Sequence, residues 1–415
     1  MKSICVIGAG PAGLMAAIAA ADSNNKITIF EKEGLIGKKL LLTGNGRCNL
    51  SNASLSSKNY HGENSKFVES VFARHNNFDT IEFFRSIGVE TMTDERNRIY
   101  PSTERAIDVV NALSSQINKS NIELCVEHKI ITIRKQNDLF EVTYLDNNGS
   151  NKTRNFEIVI ISTGGRSYPS LGSDGSGYDL ADKFGHNIIK PIPVSVPVVS
   201  SNIISRVLMG VTLKVNCSLY HDESKATSHI GDMILTHYGL SGPCILGISR
   251  EISVLINRLQ IDPTKIFLKL NFSTELNKTE LFQKISQRLT SAPTKYISNQ
   301  FQQIAPKSLV TFILRRLNIA EDKSSSTISK RSITQIVDLL SDYKLEIDGL
   351  LGWDQAQFTA GGVETKEIDS KTMRSKIVKD LYFAGEVVDI DGDTGGYNLQ
   401  WAWSSGWLAG NSTKL

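Results

Sequence analysis

The feature that most constrains this chain stands at its start: Gly8-Ala9-Gly10-Pro11-Ala12-Gly13, between the β-branched run Lys2 to Ile7 and an Ala-rich stretch, Leu14 to Ala21. A strand that ends in a glycine turn and feeds a helix is the phosphate-binding unit of dinucleotide folds. Gly8 allows the tight turn, Gly10 lets backbone approach a diphosphate, and Gly13 lets the helix close on the strand. The helix end adds unpaired N–H groups and a positive dipole end. Pro11 is tolerated in the first turn, because the N–H it lacks would have no partner there. A second strand, Lys26 to Phe30, closes on Glu31 and Lys32, and Glu31 lies 18 residues after Gly13, where an acid accepts from ribose hydroxyls. The competing reading is a coincidental glycine turn. The apolar run Ile4 to Ala21 is broken by four Gly or Pro residues, so it is not read as a leader. No stretch reaches the roughly 18 apolar residues of a membrane span. A cytoplasmic protein is expected.

The first motif does not separate FAD from NAD, since both present an ADP half. A second one comes near the other end, in Leu381-Tyr382-Phe383-Ala384-Gly385-Glu386 and Asp391-Gly392-Asp393-Thr394-Gly395-Gly396-Tyr397-Asn398-Leu399-Gln400. A strand ending in Gly385-Glu386 offers a carboxylate or backbone contact to a ribityl-phosphate region. The Gly395-Gly396 turn opens a helix, Leu399 to Ala409, whose N–H donors suit the edge of a flavin that gains negative charge on reduction. An ordinary surface strand, turn and helix is the alternative.

With 415 residues the chain exceeds a single core. The expected class is α/β: a Rossmann-type domain from both chain ends, residues 1–190 and 350–415, with an inserted β-rich domain at 191–273 and a helical domain at 274–349. The strand-like runs Glu123 to Val126, Ile130 to Arg134, Phe140 to Tyr144 and Glu157 to Ile161 belong to the first, Leu213 to Leu219 and Ile266 to Leu270 to the second.

Taken together, GAGPAGLMAA, GKKLLLTGNGRCNLSN (Gly37 to Asn52), STGGRSYPSLGSDGSGY (Ser162 to Tyr178), THYGLSGP (Thr236 to Pro243), FTAGGV (Phe358 to Val363) and LYFAGEVVDIDGDTGGYNLQWAWSSG resemble the BaiN-like (YhiN-like) flavoproteins, in family order over almost the whole chain. The resemblance implies a FAD-binding domain made of the two chain ends and interrupted by a β-barrel-like and a helical domain. It implies that Lys39, Thr43, Gly44, Asn45, Gly46, Arg47, Cys48 and Asn49 form a loop closing over the flavin, and that Thr163-Gly164-Gly165 marks the junction with the inserted domain. The plain alternatives are a solvated Arg47, a packing Cys48 and a strand-end turn at Thr163. Thr394 stands where relatives often carry Cys, which weakens any role for a cysteine there. Family members are associated with reduction of small unsaturated substrates and of uridine in ribosomal RNA.

Reduction of a polarised double bond needs a proton source, and His237, Tyr238, Tyr168 and Tyr397 are the candidates, a structural histidine being the bland alternative for His237. A second strand-GxGxxG-helix unit is missing from the sequence, so NAD(P)H is expected as a transient donor reaching the flavin from its open face. Cys5, Cys48, Cys125, Cys217 and Cys244 have neither paired nor metal-type spacing, and no metal is expected. The net charge of +3 demands no polyanion, yet Thr274 to Leu345 carries eleven Lys or Arg against six Asp or Glu. That excess reads either as a solvated helical surface or as a docking face for RNA. The expected acceptor is therefore a small molecule or ribosomal RNA. An amine oxidase and a non-catalytic, FAD-stabilised RNA-binding scaffold are the competing classes.

Overall fold

The apolar runs from both chain ends meet in one parallel sheet. In the computed structural model, which describes residues 2–120, 122–302 and 304–414, five strands carry it: β1 (Lys2–Ile7), β2 (Asn25–Phe30), β3 (Glu123–Cys125), β4 (Ile158–Ile161) and β5 (Leu381–Phe383). Their order is β5-β4-β1-β2-β3, parallel throughout. Ile4, Cys5, Val6, Val159, Ile160 and Ile161 are fully buried, as expected of a sheet covered on both faces. This sheet belongs to the first of two units, Met1–Pro193 with Gln357–Leu415; the second is Val194–Ala356.

Two helices lie against one another in the first unit, α1 (Pro11–Ala20) and α2 (Tyr397–Ser412). Most residues of α1 are buried, which explains why its apolar residues follow no one-sided stripe. Glycines set the crossing. A Cβ at Gly406 would lie 2.4 Å from the Ala12 carbonyl oxygen, and one at Gly410 would lie 2.0 Å from that of Ala16. Each step of four residues on one helix matches a step of four on the other in the same direction, so the helices run parallel. Tyr397 precedes Gly406 by nine residues, and Pro11 precedes Ala12 by one. At a rise of 1.5 Å per residue, the N-terminus of α2 therefore overhangs that of α1 by roughly 12 Å. A three-stranded antiparallel sheet, Lys129–Gln136, Leu139–Leu145 and Asn151–Phe156, packs its Tyr144 and Phe156 on Phe30 of β2 at ring-centroid distances of 4.7 and 6.0 Å.

The second unit holds a seven-stranded antiparallel sheet whose edges are Tyr343–Glu346 and Gly349–Leu350. Those edges are almost consecutive in the chain, so the sheet curls until its first and last strands are joined covalently, a barrel-like form of the kind the family resemblance implies. The helices Lys278–Ser291, Lys307–Arg316 and Lys330–Ser341 share one core with it: Leu281, Ile285, Ile313 and Ile336 are buried in the same cluster as Leu213, Leu268 and Leu270. The change of texture at 273/274 is thus a change of element type within one core. Amphipathic helices of this length cannot bury their apolar stripe alone, and the sheet supplies the partner. Among the described residues no helix is long and apolar enough to cross a membrane, and no group of three His, Cys, Asp or Glu side chains could hold a metal ion.

Candidate functional site: a dinucleotide cradle between two helix N-termini

At the mouth of α1 the three glycines do three different things. Gly8 has φ +100°, and a Cβ there would meet the Ser162 carbonyl oxygen at 2.7 Å. A Cβ at Gly13 would lie 1.9 Å from the Gly8 carbonyl oxygen, so the helix can close on its own entry loop only without one. At Gly10, the N-cap, nothing lies within 4 Å of the Cβ position. Open space at the residue that ends in free helix N–H groups is what a diphosphate requires. Pro11 occupies the first turn and Ala12 packs under Gly385 and Gly406.

Glu31 braces this loop. Its Oε2 accepts from the Ala9 N–H at 2.8 Å and its Oε1 from the Glu33 N–H at 2.8 Å. Burial lifts the carboxyl above its ordinary range, and the two N–H donors pull it back. A carboxylate has about four lone-pair directions, so a ribose hydroxyl still finds an acceptor here. Lys32 is ion-paired with Asp174 at 2.5 Å and is committed inside the protein.

The loop Thr43 to Asn49 is wound tightly by left-handed residues, Gly44 at φ +58°, Asn45 at +58°, Gly46 at +82° and Cys48 at +60°. The Thr43 carbonyl accepts from the Gly46 and Cys48 N–H groups at 3.1 and 3.0 Å, and the Thr43 hydroxyl donates to the Leu40 carbonyl at 2.7 Å. Arg47 is held by Glu104 at 3.1 Å, with its guanidinium 4.6 Å from the Tyr100 ring centroid. Cys48 is fully buried and burial pushes its thiol up to about 12, so it packs and does not act as a nucleophile. Asn49 differs from its neighbours: its Oδ1 is buried without a hydrogen-bond partner.

Glu386 and Lys39 meet although 347 residues separate them. Lys39 Nζ lies 3.0 Å from Glu386 Oε2 and 2.6 Å from Ser167 Oγ. Glu386 Oε1 accepts from the Thr359 N–H at 2.7 Å and from Ser167 Oγ at 3.1 Å. Gly385, at φ +78°, is likewise occupied: its N–H donates to Ser405 Oγ and its carbonyl accepts from Trp401 Nε1. These groups tie the closing strand to its surroundings. The Thr163 hydroxyl, by contrast, is a second buried polar atom without a partner, in the turn with Gly164 at φ +76°. Gly165 is needed there because a Cβ would stand 2.4 Å from Thr359 Oγ1.

Gly395 and Gly396 have φ +127° and +101°, and a Cβ on Gly396 would meet the Ser51 carbonyl oxygen at 2.3 Å. The Asn398 amide bonds the Gly392 N–H and carbonyl at 2.9 and 2.8 Å. Asp391 is buried, and Leu399 is half-buried against the core. Tyr397 is buried edge-on to Tyr60 at 5.9 Å, and burial followed by the nearby Asp393 carboxylate raises its phenol. Tyr168 is half-buried in a left-handed conformation, φ +55°, before Pro169. In the second unit, His237 and Tyr238 are the central pair of a hairpin turn, closed by the Thr236 N–H to the Gly239 carbonyl at 2.8 Å. His237 is exposed and its ring stands edge-on to Tyr238 at 4.9 Å.

Sequence reasoning missed Ser167 and the clamp around Asp393, which takes His61 Nε2 at 2.8 Å and Asn59 Nδ2 at 3.0 Å. It also missed the buried amide of Gln400, bonded to Ser51, Thr80 and Ser404. Partners so distant in the chain leave no local signal.

The chain is 30% identical over 414 residues to the 3-dehydro-bile acid delta(4,6)-reductase of Clostridium scindens, covering 99% of both. It is 32% identical over 403 residues to a ribosomal RNA dihydrouridine synthase of Haemophilus influenzae, covering 96% of this chain and 95% of that one. The 3-ketosteroid delta1-dehydrogenase of Sterolibacterium denitrificans, solved with 1,4-androstadiene-3,17-dione, aligns over 100% of both chains with a TM-score of 0.53 at 11% identity, a likeness of fold. The match to the family described as HI0933-like protein Rossmann domain runs over residues 2–412, and the chain belongs to that family.

Proposed function

We propose that this chain holds one FAD between its two ends and works as a reductase, with uridine in ribosomal RNA as its acceptor. The observation that carries the cofactor is the pair of parallel helix N-termini offset by roughly 12 Å. One positive end suits a diphosphate and the other, farther out, suits the electron-rich edge of a ring system. The residues fit such a ligand. Glu31 keeps acceptor capacity for a ribose, Gly10 leaves room, and the Asn49 Oδ1 and Thr163 Oγ1 atoms are buried in want of a partner.

Bound FAD supplies two-electron redox chemistry. The chain's part is to hold the ligand extended, to keep Glu386 and Lys39 as a fixed brace, and to place donors where negative charge develops. Overall, a nicotinamide donor gives up a hydride, and the C5=C6 bond of uridine gains that hydride and one proton. His237 and Tyr238 remain the side chains proposed to supply the proton, with Tyr168 and Tyr397 after them.

Two things support RNA over a metabolite. A relative of similar length carries the name ribosomal RNA dihydrouridine synthase. In the second unit Lys284, Lys295, Lys307, Lys323, Lys330 and Arg331 carry no ion pair among the described residues, which leaves the positive excess of Thr274 to Leu345 uncompensated. The bile-acid reductase relative supports the second reading, a small unsaturated substrate. Nucleoside mass spectrometry of ribosomal RNA from cells lacking the protein tests the choice. Loss of dihydrouridine is expected, and its persistence would return the acceptor to small molecules. Bleaching of the flavin band on anaerobic mixing with NADPH or NADH tests the donor.

A further inference from the structure

The loop Thr43 to Asn49 is fixed by its own backbone, and one atom in it is left over. Asn49 Oδ1 is buried without a partner. It lies 2.8 Å from the position a Cβ would take on Gly396, the N-cap of α2, so it sits against the N-terminus of that helix. The surrounding contacts hold it there: the missing Cβ of Gly44 would be 3.1 Å from the Asn49 N–H nitrogen, and Cys48 beside it is fully buried. A buried amide oxygen calls for a donor. The helix end beside it has the opposite need, N–H groups that call for acceptors.

An isoalloxazine has one edge with both complements, a single imide N–H flanked by two carbonyls. The overhang of α2 beyond the diphosphate loop puts Asn49 at the ring end of an extended dinucleotide, away from Glu31 and the adenosine half. We propose that the Asn49 side-chain oxygen accepts the flavin imide N–H, making Asn49 the residue that reads the pyrimidine edge of the ring. The inference rests on FAD being the ligand.

The test uses apoprotein of the full chain titrated with FAD and with FAD methylated at the imide nitrogen, which keeps both carbonyls and removes the N–H. Wild type is expected to favour FAD over the methylated analogue by roughly tenfold or more. Asn49→Ala is expected to lose roughly tenfold for FAD and to bind the analogue as wild type does. Its apoprotein should unfold at the same urea concentration as wild type, since the oxygen has no partner within the protein. Equal binding of the two flavins by wild type would overturn the proposal, as would an equal loss of both in Asn49→Ala or a clear loss of apoprotein stability. Failure of wild type to bind either flavin would instead remove the FAD reading beneath it.

Discussion

Replacing Gly410 by Ala tests whether glycine sets the helix crossing that creates the two-ended cradle. In an unconstrained helix this change stabilises by about 1 kcal/mol, because glycine is the more flexible residue in the unfolded chain. At Gly410 the new Cβ would stand 2.0 Å from the Ala16 carbonyl oxygen and 2.8 Å from its carbon. An ordinary carbon–oxygen contact is about 3.3 Å or longer. The helices must therefore part by about 1 Å, and a gap of that size forfeits a quarter to a half of the dispersion attraction along the seam. Overpacking of this kind costs about 3 kcal/mol when backbone must move, so the net loss is about 2 kcal/mol. For a unit of this size that lowers the melting temperature by about 4–8 °C. Trp401, Trp403 and Trp407 on α2 report the transition by fluorescence. Gly34→Ala serves as control, since its nearest neighbour lies at 3.6 Å and it should be neutral or slightly stabilising. A Gly410→Ala protein as stable as wild type would refute the crossing argument.

Three further outcomes follow from other contacts. His75 is buried against Trp407 at 5.0 Å and its imidazole is lowered from 6.5 to about 4, so the neutral form is favoured on folding. That stability is present above pH 6.5 and is lost as the pH falls toward 4, by about 3 kcal/mol in all; His75→Phe should flatten this part of a urea-midpoint profile. Cys5, Cys48, Cys217 and Cys244 are buried while Cys125 is half-exposed, so iodoacetamide should modify Cys125 alone in the native protein, and equally fast labelling of Cys48 would contradict its packing role. Lys39→Met leaves the Glu386 carboxylate without its cation and should cost about 2 kcal/mol in chemical unfolding, part of it restored by adding Glu386→Gln.

Legibility followed sequence distance. The first strand-turn-helix could be read directly, because its glycine spacing is local and a Cβ on Gly13 would strike the Gly8 carbonyl five residues away; the contacts that forbid a side chain on Gly8 and Gly396, from Ser162 and Ser51, lie far off in the chain and were not legible. Strand positions were legible too: Lys26 to Phe30 is observed as Asn25–Phe30, and Glu157 to Ile161 as Ile158–Ile161. The need for Gly406 and Gly410 was not, since only the carbonyls of Ala12 and Ala16, across a crossing no periodicity announces, forbid a Cβ. Nor was the destination of charged side chains. Glu386 and Arg47 carry the chemistry of ligand contacts, yet Glu386 finds Lys39, Ser167 and Thr359, and Arg47 finds Glu104 and Tyr100. Sequence spacing alone could not separate a brace from a ligand contact, because both use the same residue types in the same loops.

The most direct test of the account is the stoichiometry of FAD uptake by purified apoprotein, followed through quenching of flavin fluorescence. One FAD per chain is predicted, with uptake lost both in Gly13→Ala, at the start of the sequence, and in Gly396→Ala, near its end, because each added Cβ would strike backbone, at 1.9 and 2.3 Å. A wild-type chain that takes up no FAD, or a tight complex that survives either substitution, would contradict the claim that the two ends close on a single cofactor.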